Sequence, residues 1–264
     1  MLIDTHCHLD ATEFDADRDE VIRDALKAGV SAMIVPSASL ANFSAVRQCC
    51  EHYAMCYPAY GLHPLYLADT VEQDIARLRA CLTEEMSGPY PPVAIGEIGL
   101  DFHVPGFDAL QQEQAFIEQL KIARHFDLPV LLHVRWSIDQ VLKCLRRIGV
   151  RGGIAHAFNG SRQQADAFLN LGFKLGFGGA MTYSRATRIR QLAASLPMEA
   201  IVLETDAPDI PPIWRIGHRN APGELGRIAE VLAQLRGLTR AEVERNTAEN
   251  ARSLISIPKF RDLG

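Results

Sequence analysis

The 264-residue sequence has no apolar run of about 18 residues, the usual minimum for a membrane-spanning helix. It also has no excess of positive charge, because 27 Lys and Arg stand against 32 Asp and Glu and give a net charge of -5. A chain with this balance has no diffuse basic field that would attract nucleic acid. With 48% hydrophobic and 22% charged residues, disordered and collagen-like classes are excluded. A polyanionic substrate would therefore need a local source of positive charge.

Disulfide and export signals are also missing. The 6 cysteines include no C-x-x-C pair, and reduced thiols are their expected state. The first residues, MLIDTHCHLD, lack both the basic segment and the long apolar segment of a secretory signal peptide. We therefore expect a cytoplasmic protein that does not associate with a membrane, and no obligate protein partner is indicated.

Short apolar runs alternate with amphipathic stretches along the whole chain, and no Pro-, Gly- or Ser-rich linker separates them. Continuous apolar runs are typical of parallel strands that are covered on both faces. The runs are Leu2–Cys7, Ala32–Pro36, Cys56–Leu62, Val93–Ile98, Pro129–Val134, Gly153–Phe158, Phe173–Phe177 and Ala200–Thr205. Capping-box pairs mark three helix starts, at Ser137 with Gln140, Ser161 with Gln164 and Thr239 with Glu242.

This alternation predicts an α/β protein, a single (β/α)8 TIM barrel over residues 1–264, with the active site at the C-terminal end of the strands. An open, doubly wound sheet is the alternative. That fold binds phosphates at a glycine-rich turn after the first strand, and no such turn follows the first apolar run. We therefore favour the barrel.

Good metal-binding residues stand at the ends of five of these runs. In a barrel, the C-terminal ends of all strands meet at one rim. The six candidate ligands are His6, His8, Glu97, His133, His156 and Asp206. Taken singly, each has an ordinary interpretation as a partly buried histidine or a helix cap. Together they would be costly to bury without cations, so the pattern predicts a metal centre.

Six protein ligands exceed the three that one catalytic zinc ion usually takes, so we expect two divalent ions. We expect Glu97 to bridge them with its two oxygens. The remaining ligands then divide into His6, His8 and Asp206 for one ion and His133 and His156 for the other. Paired ions generate a hydroxide at neutral pH and bind a substrate oxyanion. When the charges of the two carboxylates and the hydroxide are subtracted from those of the two ions, about one positive charge remains at the centre. Histidine-rich ligands favour Zn, Mn or Fe over Mg.

We expect catalytic roles for two of these ligands. Glu97 would bridge the ions, and Asp206 would both bind the first ion and accept a proton from the attacking water. Further residues are candidates for substrate contact, and His63, Arg135 and Arg219 form this set, with the two arginines for phosphates. Asp4 and Glu204 either orient ligand imidazoles as hydrogen-bond acceptors or bond the backbone.

The motifs resemble the TatD family of metal-dependent deoxyribonucleases, within the metallohydrolase barrels. The resemblance extends to about Ile255 and includes, in order, DTHCHLD, GLHP, GEIGLD, HVR, GIAHAFNG, LETDAP and HRNAP. It implies the same six metal ligands and Mg-supported activity. It also implies hydrolysis of phosphodiester bonds in DNA, which related enzymes perform by trimming single strands from one end.

The chain departs from the family pattern where a substrate would lie. The family commonly has a small hydroxyl residue in place of Val134 and an acidic residue in place of Trp136. It usually has glutamate in place of Ala221 and tyrosine in place of Phe102. None of these positions is a proposed ligand, so they bear on the substrate more than on the chemistry. Trp136 and His103 either stack a base or pack at the rim.

Three classes of function follow from these observations. The first is a deoxyribonuclease that binds DNA transiently. The second is a hydrolase of the same barrel type acting on a carboxylic ester, lactone, cyclic amide or aminoacyl-tRNA ester, and the third is a non-catalytic metal-binding scaffold. Two-metal amidohydrolases often carry a modified lysine where Glu97 stands, which favours the TatD-like branch. A zinc deaminase is disfavoured because H-x-E…P-C-x-x-C is absent.

Overall fold

The computed structural model describes residues 1–67 and 71–257. Within these ranges, eight parallel strands follow one another in chain order around a single sheet. They are β1 (Leu2–Asp4), β2 (Val30–Pro36), β3 (Cys56–Tyr60), β4 (Ala94–Asp101), β5 (Val130–Arg135), β6 (Gly153–Ala155), β7 (Phe173–Phe177) and β8 (Ile201–Leu203). The α-helices are α1 (Arg18–Lys27), α2 (Phe43–His52), α3 (Val71–Glu85), α4 (Ala109–Phe126), α5 (Ile138–Ile148), α6 (Arg162–Leu169), α7 (Thr187–Ser195), α8 (Leu225–Arg236) and α9 (Arg240–Leu254).

Backbone hydrogen bonds between the ends of β1 and β8 join the first strand to the last. The Thr5 amide donates to the Leu203 carbonyl at 3.1 Å, and the Asp206 amide donates to the His6 carbonyl at 2.8 Å. We call this junction, residues 4–8 against 203–207, the β1–β8 seam. The strand order and the alternating helices confirm the predicted (β/α)8 barrel. The predicted single domain over 1–264 also includes 68–70 and 258–264, which lie outside the described residues.

Several strands are shorter than the apolar runs that predicted them. β1 ends at Asp4, β6 at Ala155 and β8 at Leu203. The residues that follow leave the ladder because they turn over the mouth of the barrel. Ala157 and Asp206 have φ of 45° and 59°, which no regular strand contains.

Alternate strand residues fill the interior of the barrel. Leu131 lies two residues before His133 and shares its face of β5. It belongs to a buried apolar cluster that also includes Ile154 and, from α9, Leu254. The next residue, Leu132, belongs to a larger cluster with the surrounding helices. The interior is therefore a packed core, and the histidines predicted as ligands lie at its C-terminal mouth.

Local helix signals were mostly reliable. The capping boxes at Ser161 and Thr239 form as predicted and start α6 and α9. At α5, Ser137 caps no amide, because its hydroxyl donates to the Leu100 carbonyl at 2.6 Å. Among the helices in the described part of the chain, none is long and apolar enough to cross a membrane.

Candidate metal centre

The six residues predicted as ligands lie together at the C-terminal mouth, around the carboxylate of Glu97, which is 3% exposed. Its two oxygens face different imidazoles. Oε2 lies 3.2 Å from His6 Nε2 and 3.5 Å from His8 Nε2. Oε1 lies 3.0 Å from His133 Nδ1 and 3.1 Å from His156 Nε2. One carboxylate thus stands between two pairs of imidazoles.

Asp206 completes this cluster from the loop after β8. Its Oδ1 lies 3.5 Å from His6 Nε2, 3.8 Å from His8 Nε2 and 4.0 Å from His156 Nδ1. The left-handed backbone at this position, with φ of 59°, suits aspartate better than most residues. Asp206 also lines the cavity above the cluster, so its carboxylate lies between the candidate ligands and the open cavity.

The donor set fits divalent metal ions. The Nε2 atoms of His6 and His8 lie 3.2 Å apart, which requires a proton or a cation between their lone pairs. Within the ranges that the structure describes, three sets of ligand atoms lie within 4.8 Å of one another. These sets are His6 with His8 and Glu97, His6 with His156 and Asp206, and His63 with Glu97 and His133. Imidazole and carboxylate groups at such spacing are the usual donors to catalytic metals.

Charge in the cluster follows from these contacts. Burial raises the pKa of Glu97, but the charges of His6 and His156 outweigh it and hold that pKa well below its usual range. Burial lowers the pKa of His6 to about 4. For His8, the bond to Glu97 and the nearby carboxylates outweigh burial and raise the pKa to about 9. Protons and metal ions therefore compete for the same nitrogens.

Asp101 supports the cluster from the end of β4, and sequence analysis assigned it no role. The Nε2–H of His133 donates to Asp101 Oδ2 at 2.9 Å, while Nδ1 of the same ring faces Glu97. The other oxygen of Asp101 accepts the amide of His103 at 2.9 Å. A carboxylate on the far nitrogen of a metal-binding histidine fixes the orientation and tautomer of the ring. The available signal was its position at the same strand end as Glu97.

Glu204 lies beside His156, on the nitrogen that faces away from Glu97. Its Oε1 accepts the Ala157 amide at 2.5 Å and lies 3.7 Å from His156 Nδ1. Gly176 in β7 leaves room for this carboxylate, because a Cβ there would lie 2.1 Å from Glu204 Oε2. Of the two alternatives for Glu204, the structure therefore shows a backbone bond together with proximity to a ligand imidazole.

Asp4 bonds the backbone and one hydroxyl, and it does not orient an imidazole. Its carboxylate accepts the amides of His6 and Thr205 at 3.3 and 2.9 Å and the Thr205 hydroxyl at 2.5 Å. It thus fastens the β1–β8 seam and does not contact the ring of a ligand histidine. This network is fully buried.

The cavity above the cluster measures about 1600 Å³, which exceeds the usual size of a pocket for a drug-sized ligand. His63 and Arg135 both line it. His63 Nε2 lies 3.7 Å from Glu97 Oε1, so this side chain is closer to the ligand cluster than a substrate contact at the rim would be. Burial lowers the pKa of His63 to about 4.

Arg219 is placed differently from the expectation. Its guanidinium donates to both carboxylate oxygens of Asp17, at 2.9 and 2.7 Å, and lies over the ring of Phe14. It does not line the cavity above the metal ligands. Asp17 occupies the hydrogen-bonding face that a phosphate would use, so this arginine is not brought to the centre.

A parallel barrel with histidines and carboxylates converging at its C-terminal mouth defines a class, the metal-dependent hydrolases. The chain belongs to the TatD related DNase family, whose model matches residues 3–256. The sequence motifs predict this family, and the match confirms it.

Individual relatives agree with this assignment. The uncharacterized metal-dependent hydrolase YjjV of Escherichia coli K12 is 38% identical over 257 residues, which cover 97% of this chain and 98% of YjjV. The crystal structure of YjjV superposes with a TM-score of 0.91 at 37% identity, over 97% and 98% of the two chains. Human deoxyribonuclease TATDN3 is 31% identical, over 99% of this chain and 96% of that protein. The chain is therefore a metal-dependent hydrolase.

Proposed function

We propose that this hydrolase cleaves phosphodiester bonds in DNA, trimming single strands from one end, at a centre of two divalent ions. The observation that carries the proposal is the position of Glu97 between two pairs of imidazoles. Two-ion centres with a shared carboxylate suit phosphoryl transfer, because one ion serves the attacking oxygen and the other the leaving oxygen. A relative named as a deoxyribonuclease supports the same substrate.

In this proposal the ligands divide as the contacts of Glu97 suggest. One ion would be held by His6, His8 and Asp206, the other by His133 and His156, and Glu97 would bind both. When bound, such ions lower the pKa of a water molecule and offset the charge of a phosphate. The four imidazoles favour Zn or Mn over Mg, on ligand softness.

The side chains around the ions have separate tasks. Asp206 accepts the proton of the attacking water, because it lies between the ligands and the open cavity. Asp101 holds the ring of His133 from the side away from Glu97, and Glu204 lies 3.7 Å from the far nitrogen of His156. The bond from Asp101 keeps the His133 ring oriented during turnover.

An activity screen tests the proposed function. Purified protein would be supplied in turn with Zn, Mn and Mg and offered end-labelled single-stranded DNA, RNA, a small phosphodiester and carboxylic esters. We expect single-stranded DNA to be shortened progressively from one end and at the highest kcat/KM. Faster turnover of a carboxylic ester or lactone would overturn the proposal and assign the centre to the alternative substrate class.

Arg135→Ala is expected to lower kcat/KM for single-stranded DNA about tenfold. A loss of this size is expected when one hydrogen bond to a charged group is removed. Arg135 is exposed on the cavity wall. Within residues 1–67 and 71–257, no side chain pairs with its guanidinium. The guanidinium can therefore bind a phosphate beside the scissile bond. Steady-state kinetics on DNA and on a small phosphodiester without flanking phosphates measure the effect.

The matched control for this prediction is Arg219→Ala. That variant removes an arginine paired with Asp17 outside the cavity, so kcat/KM should stay near the wild-type value. An equal loss from Arg135→Ala on both substrates would show that Arg135 does not act through flanking phosphates.

A further inference from the structure

Three exposed aromatic side chains line one arc of the cavity mouth. Tyr66, Phe102 and Trp136 follow β3, β4 and β5, which are neighbours in the barrel. They are 63%, 36% and 75% exposed. We call these three residues the aromatic arc. Apolar side chains left exposed at the edge of a cavity are typical of a binding surface.

Trp136 is held in an unfavourable backbone conformation. Its φ of 57° lies in the left-handed region, which a bulky side chain rarely adopts. Such a conformation persists only where the surroundings enforce it, and it is concentrated at functional sites. The His103 ring packs against the indole, with centroids 4.3 Å apart and planes at 68°. His103 therefore braces an indole that otherwise faces the cavity and solvent.

The position of Trp136 along the chain connects it with the metal ligands. His133, Arg135 and Trp136 lie within four consecutive residues at the end of β5, a stretch of about 10 Å at most. A free guanidinium beside exposed aromatic rings is the combination by which proteins bind single-stranded nucleic acid, with phosphates on the cation and bases on the rings. The His133 imidazole, the Arg135 guanidinium and the Trp136 indole thus follow one another along the chain at the mouth of the barrel.

We propose that Trp136, braced by His103, is the stacking platform for the base of the nucleotide next to the scissile phosphodiester bond. This inference rests on the proposed function and names the part of the substrate that the enzyme recognises. Stacking accepts any base, because every base has a π face, but it requires a base that is free of its complementary strand. The platform therefore selects unpaired strands with little preference for sequence.

The test combines two substrates with two variants. Each protein is assayed on a single-stranded oligonucleotide and on the same oligonucleotide with an abasic nucleotide next to the scissile bond. We expect Trp136→Ala to lose about tenfold or more in kcat/KM on the intact strand and little on the abasic strand. Trp136→Phe keeps an aromatic face and should recover most of the loss. An equal loss on both strands, or none on the intact strand, would overturn the platform.

A binding measurement separates this inference from the proposed function. The chain has 2 tryptophans, so Trp214→Phe leaves Trp136 as the only indole. With the metal-loaded protein, an oligonucleotide whose linkages are cleavage-resistant phosphorothioates should quench its fluorescence saturably, and one with the same linkages made only of abasic nucleotides should not. Quenching without cleavage in the activity screen would refute the nuclease and retain the base platform. Cleavage without quenching would refute the platform and retain the nuclease.

Discussion

Asp206→Asn is expected to lower kcat about 10²–10⁴-fold, which is the range usual for general acid–base groups. The fold and the bound metal should stay nearly unchanged. Asparagine keeps the shape and one ligating oxygen but removes the charge and the proton acceptor. It also tolerates left-handed backbone, so the φ of 59° at this position is retained. The amide of residue 206 still donates to the His6 carbonyl, which keeps the β1–β8 seam closed.

Turnover, bound metal and melting temperature should be measured on the same preparation of Asp206→Asn. The control is Asp209→Asn, which changes an exposed carboxylate on the same loop that lines the cavity but contacts no ligand histidine. That control should keep most of its turnover. If Asp206→Asn kept more than about a tenth of wild-type kcat at full metal occupancy, Asp206 would not be the proton acceptor. His63 would then be the leading candidate.

Glu97→Gln is expected to remove metal as well as activity. Both oxygens of Glu97 face imidazole nitrogens at 3.0–3.5 Å, and glutamine would replace one oxygen with an NH2 group that cannot ligate. A centre that stabilises several kcal/mol of transition-state charge accounts for roughly 10³-fold or more in rate. We therefore expect a loss of that size in kcat/KM, together with a lower metal content after dialysis.

Glu85→Gln is the matched control for Glu97→Gln. Glu85 is also buried but pairs with Arg47, away from the metal ligands. Removing its charge should lower the melting temperature while bound metal and kcat stay near wild type. Elemental analysis and thermal denaturation of both variants separate loss of the centre from general destabilisation. Wild-type metal content in Glu97→Gln would exclude Glu97 as the shared ligand.

The barrel and the ligand cluster could be predicted from the sequence because both depend on local patterns. Continuous apolar runs predict buried parallel strands, and the ends of such strands must meet at one rim. His133 could be placed at the mouth simply because it lies at the end of such a run. The chemistry follows from the residue types, and their meeting point follows from the fold class.

Contacts between loops could not be predicted in this way. Arg219 and Asp17 are 202 residues apart, and nothing local indicates that their loops are adjacent. The Glu204 carboxylate fits only because residue 176, in the neighbouring strand, is a glycine without a Cβ atom. Each of these outcomes is fixed by packing across the barrel, which a single sequence does not display.

The β1–β8 seam ties hydrolytic competence to the order of synthesis. His6 is made before Asp206, whose amide bonds the His6 carbonyl and which follows 200 residues later (206 − 6). At about 5–20 residues per second, a ribosome needs roughly 10–40 s to travel between them. A nascent chain that ends before β8 lacks both the proposed ligand Asp206 and the strand that completes the ring. With the proposed set of ligands, the centre is therefore complete only after the last strand docks.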